Sequence, residues 1–177
     1  MSRDPLAKPE DLIRRVYSYV AYRIGAGADA EDVTSETMLR AVRYRSTYDP
    51  ARGKPITWLI GIARGCIADH FGASPDSPMD ITDRPSGLDL EGQVLNRLSI
   101  GAAVAQLEQR DRELVALRYG ADLSTREIAR LLALRPNAVD VALHRCRERL
   151  RTELSDESTR SPKSLLRVAR PSARPSI

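Results

Sequence analysis

The stretch Leu123–Leu154 reads LSTREIARLLALRPNAVDVALHRCRERLRTEL and predicts two short helices joined by a tight turn. Ser124 and Glu127 match a capping box, in which each side chain satisfies a free backbone N–H at a helix start. Pro136 suits the first position of the next helix, because its missing N–H and fixed φ cost nothing there. That helix then carries a single apolar stripe: Val139, Leu143, Cys146 and Leu150. The pattern is typical of a helix-turn-helix whose second helix can enter a DNA major groove.

The other faces of this second helix are polar and rich in arginine. They carry Asn137, Asp140, His144, Arg145, Arg147, Arg149 and Arg151. A charged helix face is often only solvated, so an ordinary helical hairpin is the alternative interpretation. The capping box, the short turn and the cations together favour DNA binding.

The composition excludes several classes of protein. Of the 177 residues, 42% are hydrophobic but only 5% are aromatic, which predicts aliphatic, helical cores. No apolar run approaches the ~18 residues that a membrane span needs, and the N-terminus lacks the apolar segment of a signal peptide. Two distant cysteines suggest reduced thiols, so we expect a cytoplasmic protein. The net charge of +4 is compatible with nucleic acid.

Charge and composition divide the chain into four segments. Residues 72–93 hold five acidic residues, one arginine, three prolines and three glycines, which predicts a flexible acidic linker. Residues 1–71 and 94–154 are mildly basic and helical in pattern. Residues 155–177, rich in Ser, Pro and Arg, are expected to form a disordered basic tail. The predicted fold is all-α, with a three-helix domain and a four-helix domain joined by the linker.

Three helices are predicted in the first domain: Glu10–Ile24, Ala30 to about Arg45 with Asp29 as its cap, and Ile56–Phe71. The positions expected to face inward are, helix by helix, Ile13, Val16, Val20 and Ile24; Val33, Thr37, Met38, Ala41 and Val42; and Leu59, Ile60, Ala63, Ile67 and Phe71. Gly61 and Gly65 in the third helix either allow close approach by another group or are merely tolerated.

Two more helices are expected to brace the helix-turn-helix. Val94–Leu107 would pack through Leu95, Leu98, Ala102 and Ala105. Arg110–Tyr119, ended by Gly120, would pack through Leu114, Val115 and Leu117. The resulting four-helix domain is too small to fold without all of its helices.

The loop Tyr48–Pro55 is basic and is followed at once by the only tryptophan, Trp58. A lone tryptophan is more often a core anchor than a stacking platform. Its position beside Arg52 and Lys54 also suits stacking on an unpaired base, and the sequence leaves both interpretations open.

No catalytic, cofactor or metal site is predicted. The only soft metal-ligand pairs are Cys66 with His70 and His144 with Cys146. Each pair lies within one helix, whereas a protein metal site needs three or four convergent ligands. Because no Gly-rich phosphate loop or nucleophile–base arrangement is recognisable either, we expect a protein that is not an enzyme.

Three segments of the first domain and one of the second resemble a known family. They are DAEDVTSETMLRA at 29–41, YDPARG at 48–53, TWLIGIAR at 57–64, and LEQRDRELVALRY at 107–119 with its continuation to residue 150. The first three are similar to region 2 of the sigma-70 family, and the last is similar to region 4. The similarity is greatest to the extracytoplasmic-function (ECF) group.

The resemblance implies a dissociable specificity subunit of bacterial RNA polymerase, acting as a monomer within the holoenzyme. Its partners would be the coiled-coil of the largest core subunit, the flap of the second subunit, duplex promoter DNA and the melted non-template strand. An anti-sigma factor is a further candidate partner. The residues implied in core-polymerase binding are Asp32, Glu36, Leu39, Arg40 and Arg43; alone, their spacing would indicate only ion pairing on a wet helix face.

The resemblance also implies two DNA sites. Minus-ten recognition and melting would use Tyr48, Asp49, Arg52, Lys54, Trp58 and Arg64. Minus-thirty-five recognition would use Arg126, Arg135, Asn137, Ala138, Asp140, His144 and Arg145. Where the family often has Gly-Thr-Val-Lys-Ser-Arg, residues 137–142 read NAVDVA, which alters the expected base readout. A conventional helix-turn-helix repressor or activator is the main alternative, and a protein that sequesters polymerase is a weaker one.

Overall fold

The computed structural model describes residues 4–72 and 100–160, with side chains as far as residue 155. It contains seven helices, which are α1 Pro9–Ile24, α2 Ala28–Arg43, α3 Pro55–His70, α4 over residues 100–105, α5 Gln109–Val115, α6 Thr125–Leu131 and α7 Pro136–Arg160. The described ranges contain no strand, which confirms the all-α prediction. No described helix combines the length and the apolar character that crossing a membrane requires.

Helices α1–α3 form a bundle in which α2 packs against both of its neighbours. The bundle is built from aliphatic side chains, among them Leu12, Val16, Val20, Val33, Ala41, Ile56, Leu59, Ile60, Ala63 and Ile67. Proline at the first position starts both α1 and α3, where no backbone N–H is needed. The inward face of α2 also holds Thr34 and Thr37, whose hydroxyls donate to carbonyls one turn earlier at 2.6 and 2.7 Å.

Three side chains predicted to be inside this bundle are exposed instead: Ile13 (43%), Val42 (55%) and Phe71 (39%). Each lies at the margin of its predicted stripe, where a small error in the helix phase moves a side chain outward. In α1 the buried face includes Leu12 and Tyr19, which rotates Ile13 toward solvent.

The starts and glycines of these helices differ in detail from the prediction. The second helix begins at Ala28, so Gly27 occupies the cap position and Asp29 lies in the first turn. A Cβ built on Gly61 or Gly65 would meet nothing within 4 Å. These two glycines are therefore tolerated in α3 and do not mark a close approach within the described residues.

The second half of the chain contains α4–α7 and a π-helical turn, Ala116–Gly120, which continues directly from α5. Leu114, Val115 and Leu117 are buried, as predicted. In the bracing helix and the residues after it, Ala103, Val104 and Leu107 are buried, whereas the predicted Ala102 and Ala105 are exposed. The buried face of this helix is thus shifted by one or two positions from the predicted one. The other two predicted core positions, Leu95 and Leu98, lie outside the described residues.

One hydrophobic core runs through both halves of the chain. It joins Val16, Tyr19 and Ile60 of the first half to residues of the second half, including Leu114, Leu117, Leu123, Ile128 and Val139. The contact is made chiefly by α1 against the π-helical turn and α5. The two predicted helical domains therefore pack against each other in the described residues.

The last helix extends further than expected. α7 continues to Arg160, six residues beyond Leu154, where the helix-turn-helix domain was predicted to end. The rest of the predicted basic tail and nearly all of the predicted linker, residues 73–93, lie outside the described residues.

Candidate nucleic-acid interface

The helix-turn-helix of α6 and α7 is stabilised by local hydrogen bonds. The Glu127 backbone N–H donates to Ser124 Oγ (3.4 Å), while the Glu127 carboxylate accepts from the Ser124 backbone N–H (2.9 Å) and hydroxyl (2.6 Å). The predicted capping box is therefore confirmed. In the turn, Ala133 takes a φ of 54°, and the Leu134 N–H donates to the Ala129 carbonyl at 2.8 Å. This turn fixes where α7 begins.

All seven residues predicted to contact the minus-thirty-five element are exposed. We call this set the recognition surface: Arg126, Arg135, Asn137, Ala138, Asp140, His144 and Arg145. On the opposite side of α7, Val139, Leu143 and Cys146 are buried, as predicted. The Asp140 carboxylate accepts from the Thr125 hydroxyl at 2.8 Å, which ties the start of α7 to the start of α6. The surface thus combines arginine cations with polar groups on a braced helix, which suits a DNA groove.

The predicted loop surface lies on the other half of the chain and consists of Tyr48, Asp49, Arg52, Lys54, Trp58 and Arg64. The Tyr48 hydroxyl donates to the Gly53 carbonyl (2.9 Å), and the Tyr48 and Trp58 rings lie 5.7 Å apart at 57°. Trp58 is half-buried against the core, whereas Asp49, Arg52 and Lys54 are exposed. An aromatic pair beside exposed cations can hold an unpaired base and its phosphate.

Two cations of this loop surface are already paired with carboxylates from the second half of the chain. Lys54 Nζ lies 3.0 Å from Glu127 Oε1, and Arg64 Nε lies 3.4 Å from Glu113 Oε1. Glu113 is buried, and it is reached as well by Tyr19 and Arg23 of α1. The loop surface and the helix-turn-helix are thus linked in the structure.

A third surface, on the outer side of α2, carries the residues predicted to bind core polymerase. Leu39 is 66% exposed, and the adjoining Val42 and Tyr44 are also exposed. Arg40 is held between Glu36 and Asp69, with N···O distances of 2.6 Å to each. Asp32 and Arg43 are exposed on the same helix. An exposed apolar patch rimmed by charge is typical of a protein-docking site.

Family models match both halves of the chain. The model of sigma-70 region 2 matches residues 10–74, and the model of sigma-70 region 4 matches residues 97–150. Together they cover more than half of the sequence and follow the order that the motifs predicted. The chain belongs to the sigma-70 family. We now call α1–α3 region 2 and α4–α7, with the π-helical turn, region 4.

Curated relatives place the chain in the ECF group of sigma factors. It is 36% identical over 153 residues to the ECF RNA polymerase sigma factor BldN of Streptomyces coelicolor, an alignment covering 81% of this chain and 57% of BldN. The chain thus spans little more than half the length of that relative. It is 31% identical over 157 residues to the RNA polymerase sigma factor CarQ of Myxococcus xanthus, covering 83% of this chain and 89% of CarQ.

A solved structure has the same fold. The sigma factor RpoE of Bartonella quintana, in complex with the anti-sigma factor NepR, superposes with a TM-score of 0.60 at 17% identity over 81% of this chain and 92% of RpoE. Sigma factors are initiation factors and have no catalytic activity of their own, in line with the predicted absence of an enzyme site.

The pKa shifts of three ionisable groups are consistent with a structural role for the Glu127 carboxylate and with protonated thiols at Cys146 and Cys66. Burial raises the pKa of the Glu127 carboxyl, but hydrogen bonds from Ser124 and the Lys54 ion pair outweigh it and lower the pKa to about 2. Burial, together with nearby Asp111, raises the pKa of Cys146 to about 11, and burial also raises that of Cys66. Among the described residues, no group of three potential metal ligands converges.

Sequence reasoning missed the polar residues that join region 2 to region 4. They are Arg15, Tyr19 and Arg23 of α1 and Glu113 of α5. A signal exists, because the three α1 residues recur at a spacing of four and so share one face of the helix. Their partner on α5 lies about 90 residues away, and no local pattern identifies it.

Proposed function

We propose that this chain is a bacterial ECF sigma factor that recruits core RNA polymerase to particular promoters and melts them. The observation that carries the proposal is that both sigma regions occur in order on one chain, each with its predicted contact residues exposed or half-buried. In this proposal the chain binds the promoter and separates its strands, and the polymerase catalyses RNA synthesis.

Region 2 would dock on core polymerase through α2. Leu39, with Val42 beside it, offers exposed apolar area, and Asp32, Glu36, Arg40 and Arg43 surround that area with charge. The expected partner is the coiled-coil of the largest core subunit, since an apolar patch with a charged rim fits the face of a helix. Region 4 would contact the flap of the second core subunit.

The loop surface of region 2 would capture the melted minus-ten element. Tyr48 and Trp58 provide a tilted aromatic pair, while Arg52, Lys54 and Arg64 provide positive charge. Stacking of a flipped base on an aromatic side chain offsets part of the free energy of unpairing the duplex. The non-template strand is the expected ligand, with Asp49 shaping the loop through its bond to the Ala51 N–H.

The recognition surface of region 4 would read the minus-thirty-five element as duplex DNA. Its arginines, Arg126, Arg135 and Arg145, suit phosphates or guanine edges, and Asn137 suits adenine. Asp140 is engaged by Thr125, so its first role is to orient the start of α7. The sequence read at this element is accordingly expected to differ from that read by relatives with a lysine there.

We expect the protein to act in the cytoplasm and to associate with the nucleoid when it is part of the holoenzyme. We also expect it to be a monomer in that complex. An anti-sigma factor is a candidate partner, because the RpoE neighbour is held by one.

Co-migration with bacterial core polymerase tests this function against its main alternative. In gel filtration we expect the chain to elute with core polymerase and to show only weak binding to duplex DNA when alone. A helix-turn-helix repressor would do the opposite, binding an operator tightly without core polymerase. The described residues give no separate dimerising helix for such a repressor.

A further inference from the structure

Val141 lies on the outward face of α7, beside the residues of the recognition surface. The buried stripe of α7 is formed by Val139, Leu143 and Cys146. Successive residues of an α-helix are turned by about 100°, so Val141 lies about 160° around the helix from Val139 and almost opposite the stripe. Its side chain is 44% exposed. Val141 is therefore directed away from the core of region 4.

Among the large apolar residues that the structure describes in α7, only Val141 is classed as exposed. Leu143 is buried, and Leu150 and Leu154 are partly buried. A β-branched side chain at an exposed helical position gains little from burial, and its restricted χ1 makes it a weaker helix former than alanine. Single exposed apolar residues are common on protein surfaces, so the place of Val141 on the helix decides how it is interpreted.

That place is between two residues of the recognition surface. Val141 is the sixth residue of α7, which begins at Pro136. In a helix-turn-helix, the N-terminal residues of the second helix contact base edges in the major groove. Asn137 lies one turn before Val141 and Arg145 lies one turn after it, and both are exposed. A helix that presents Asn137 and Arg145 to the bases therefore also presents Val141.

Ala138 extends the apolar area next to Val141. It precedes Val141 by three residues and is also exposed, so the two side chains adjoin on the helix surface. The neighbouring Asp140 carboxylate accepts from the Thr125 hydroxyl at 2.8 Å and is thus held toward the start of α6. We call Ala138 and Val141 the apolar strip of the recognition surface.

The bases offer such a strip one matching group. In the major groove, the apolar group that distinguishes a base pair is the C5-methyl group of thymine. The other distinguishing groups are hydrogen-bond donors and acceptors, which an aliphatic side chain cannot satisfy. A polar base edge that lost its water to the strip without gaining a partner would be destabilised. The strip is therefore complementary to thymine and unfavourable opposite a polar edge.

We propose that Val141, with Ala138 beside it, is a specificity-determining residue that reads the C5-methyl group of a thymine in the minus-thirty-five element. This inference rests on the proposed function, because it names a base contact of the same recognition surface. The family motif Gly-Thr-Val-Lys-Ser-Arg has serine at the position of Val141, so this contact sets the chain apart from relatives that keep the motif.

Removal of a single methyl group from the DNA tests the contact. Core polymerase carrying this chain is bound to a duplex promoter whose transcription start has been mapped, and each thymine of the minus-thirty-five element is replaced in turn by deoxyuridine. Deoxyuridine pairs like thymidine and lacks only the C5-methyl group. The series is repeated with Val141→Ala and with Ile13→Ala, a matched control that truncates a similarly exposed (43%) side chain of α1. Thermal denaturation checks that both variants are folded.

We expect deoxyuridine at one position to weaken binding of the wild-type holoenzyme about fourfold, the effect of one buried methyl group. Ile13→Ala should show the same loss at that position, whereas Val141→Ala should lose less than about twofold.

Three results would overturn the assignment of Val141 while leaving the proposed function intact. They are an element without thymine, no loss at any thymine, and an undiminished loss in Val141→Ala. Failure of the wild-type chain to bind core polymerase would instead overturn the proposed function, and this inference with it.

Discussion

Glu127 shows how one side chain can serve both a helix and a contact between regions. Its carboxylate accepts two hydrogen bonds from Ser124 at the start of α6 and pairs with Lys54 of region 2. These interactions favour the ionised form, which is why the pKa falls to about 2 despite partial burial. A carboxyl whose pKa is lower in the folded than in the unfolded protein contributes its full stabilisation at pH values above the unfolded-state pKa.

We expect Glu127→Gln to lower the free energy of unfolding by about 1 kcal/mol at neutral pH, because glutamine can keep the capping box but loses the ion pair with Lys54 and the negative charge at the helix N-terminus. The difference from wild type should be constant above about pH 4.5 and should shrink as the pH falls toward 2, where the wild-type carboxyl takes up its proton. Urea unfolding at pH 7, 5 and 3 measures it. A difference that is the same at pH 7 and pH 3 would contradict this assignment.

The role of Trp58 can be tested by substitution. If its ring stacks on an unpaired base, Trp58→Ala should leave core-polymerase affinity unchanged and weaken open-complex formation by about tenfold or more. Trp58→Phe keeps an aromatic face and serves as the control. Permanganate footprinting of the minus-ten region measures melting, and thermal denaturation reports any loss of packing. Normal melting in a folded Trp58→Ala protein would assign the residue to the core alone.

Individual residues differ in how far sequence alone could predict them. The Ser124–Glu127 cap was predictable because its partners lie three residues apart and its chemistry is local. Glu113 was not, because Tyr19, Arg23 and Arg64 reach it from the other end of the chain. Trp58 is half-buried beside Tyr48. This position is compatible both with a core anchor and with a platform for stacking a base, the two interpretations that the sequence left open.

At the scale of an element, α2 has a buried face and an exposed face that also carries apolar side chains. Its inner face packs Val33, Thr37 and Ala41 into the region 2 core, and its outer face exposes Leu39 and Val42. Because the outer apolar side chains contribute little to packing, they are the basis for proposing a docking partner at this face.

We expect Leu39→Ala to weaken binding to core polymerase by at least about tenfold, as truncation of a central interface residue does. Stability should change by no more than about 0.5 kcal/mol, because the side chain is already 66% exposed. Ile13→Ala, at an exposed apolar position of α1, is the matched control and should bind core polymerase like wild type. Equal affinities for Leu39→Ala and wild type would remove α2 from the docking site.

The sequence predicted which segments are helical better than it predicted which side of each helix faces inward. Apolar periodicity placed the N-termini of α1 and α3 within one residue, and Pro136 placed that of α7. Periodicity failed at Ile13, Val42 and Phe71, since a side chain at the edge of a stripe is decided by the neighbouring helix. The π-helical turn after α5 was not predicted either, and its last residue, Gly120, makes a close backbone contact with α1.

At the scale of the whole molecule, the interface between the regions is the main feature that sequence could not predict. The acidic, proline-containing stretch at residues 72–93 predicted two domains joined by a flexible linker, but it gave no indication that Tyr19 and Leu117 would share one core. Long-range packing of this kind depends on shape complementarity between distant elements, which no local pattern encodes. The family assignment, in contrast, followed from short motifs, and the residues of the three surfaces remain a prediction drawn from that resemblance.

Run-off transcription shows whether this chain directs core polymerase to promoters. Purified bacterial core polymerase is incubated with genomic fragments, with and without the chain, and the transcript 5′ ends are mapped. We predict discrete transcripts only when both proteins are present, starting a fixed distance downstream of two shared sequence elements. Transcripts that do not depend on the chain, or tight operator binding by the chain alone with no transcripts, would contradict its assignment as a sigma factor.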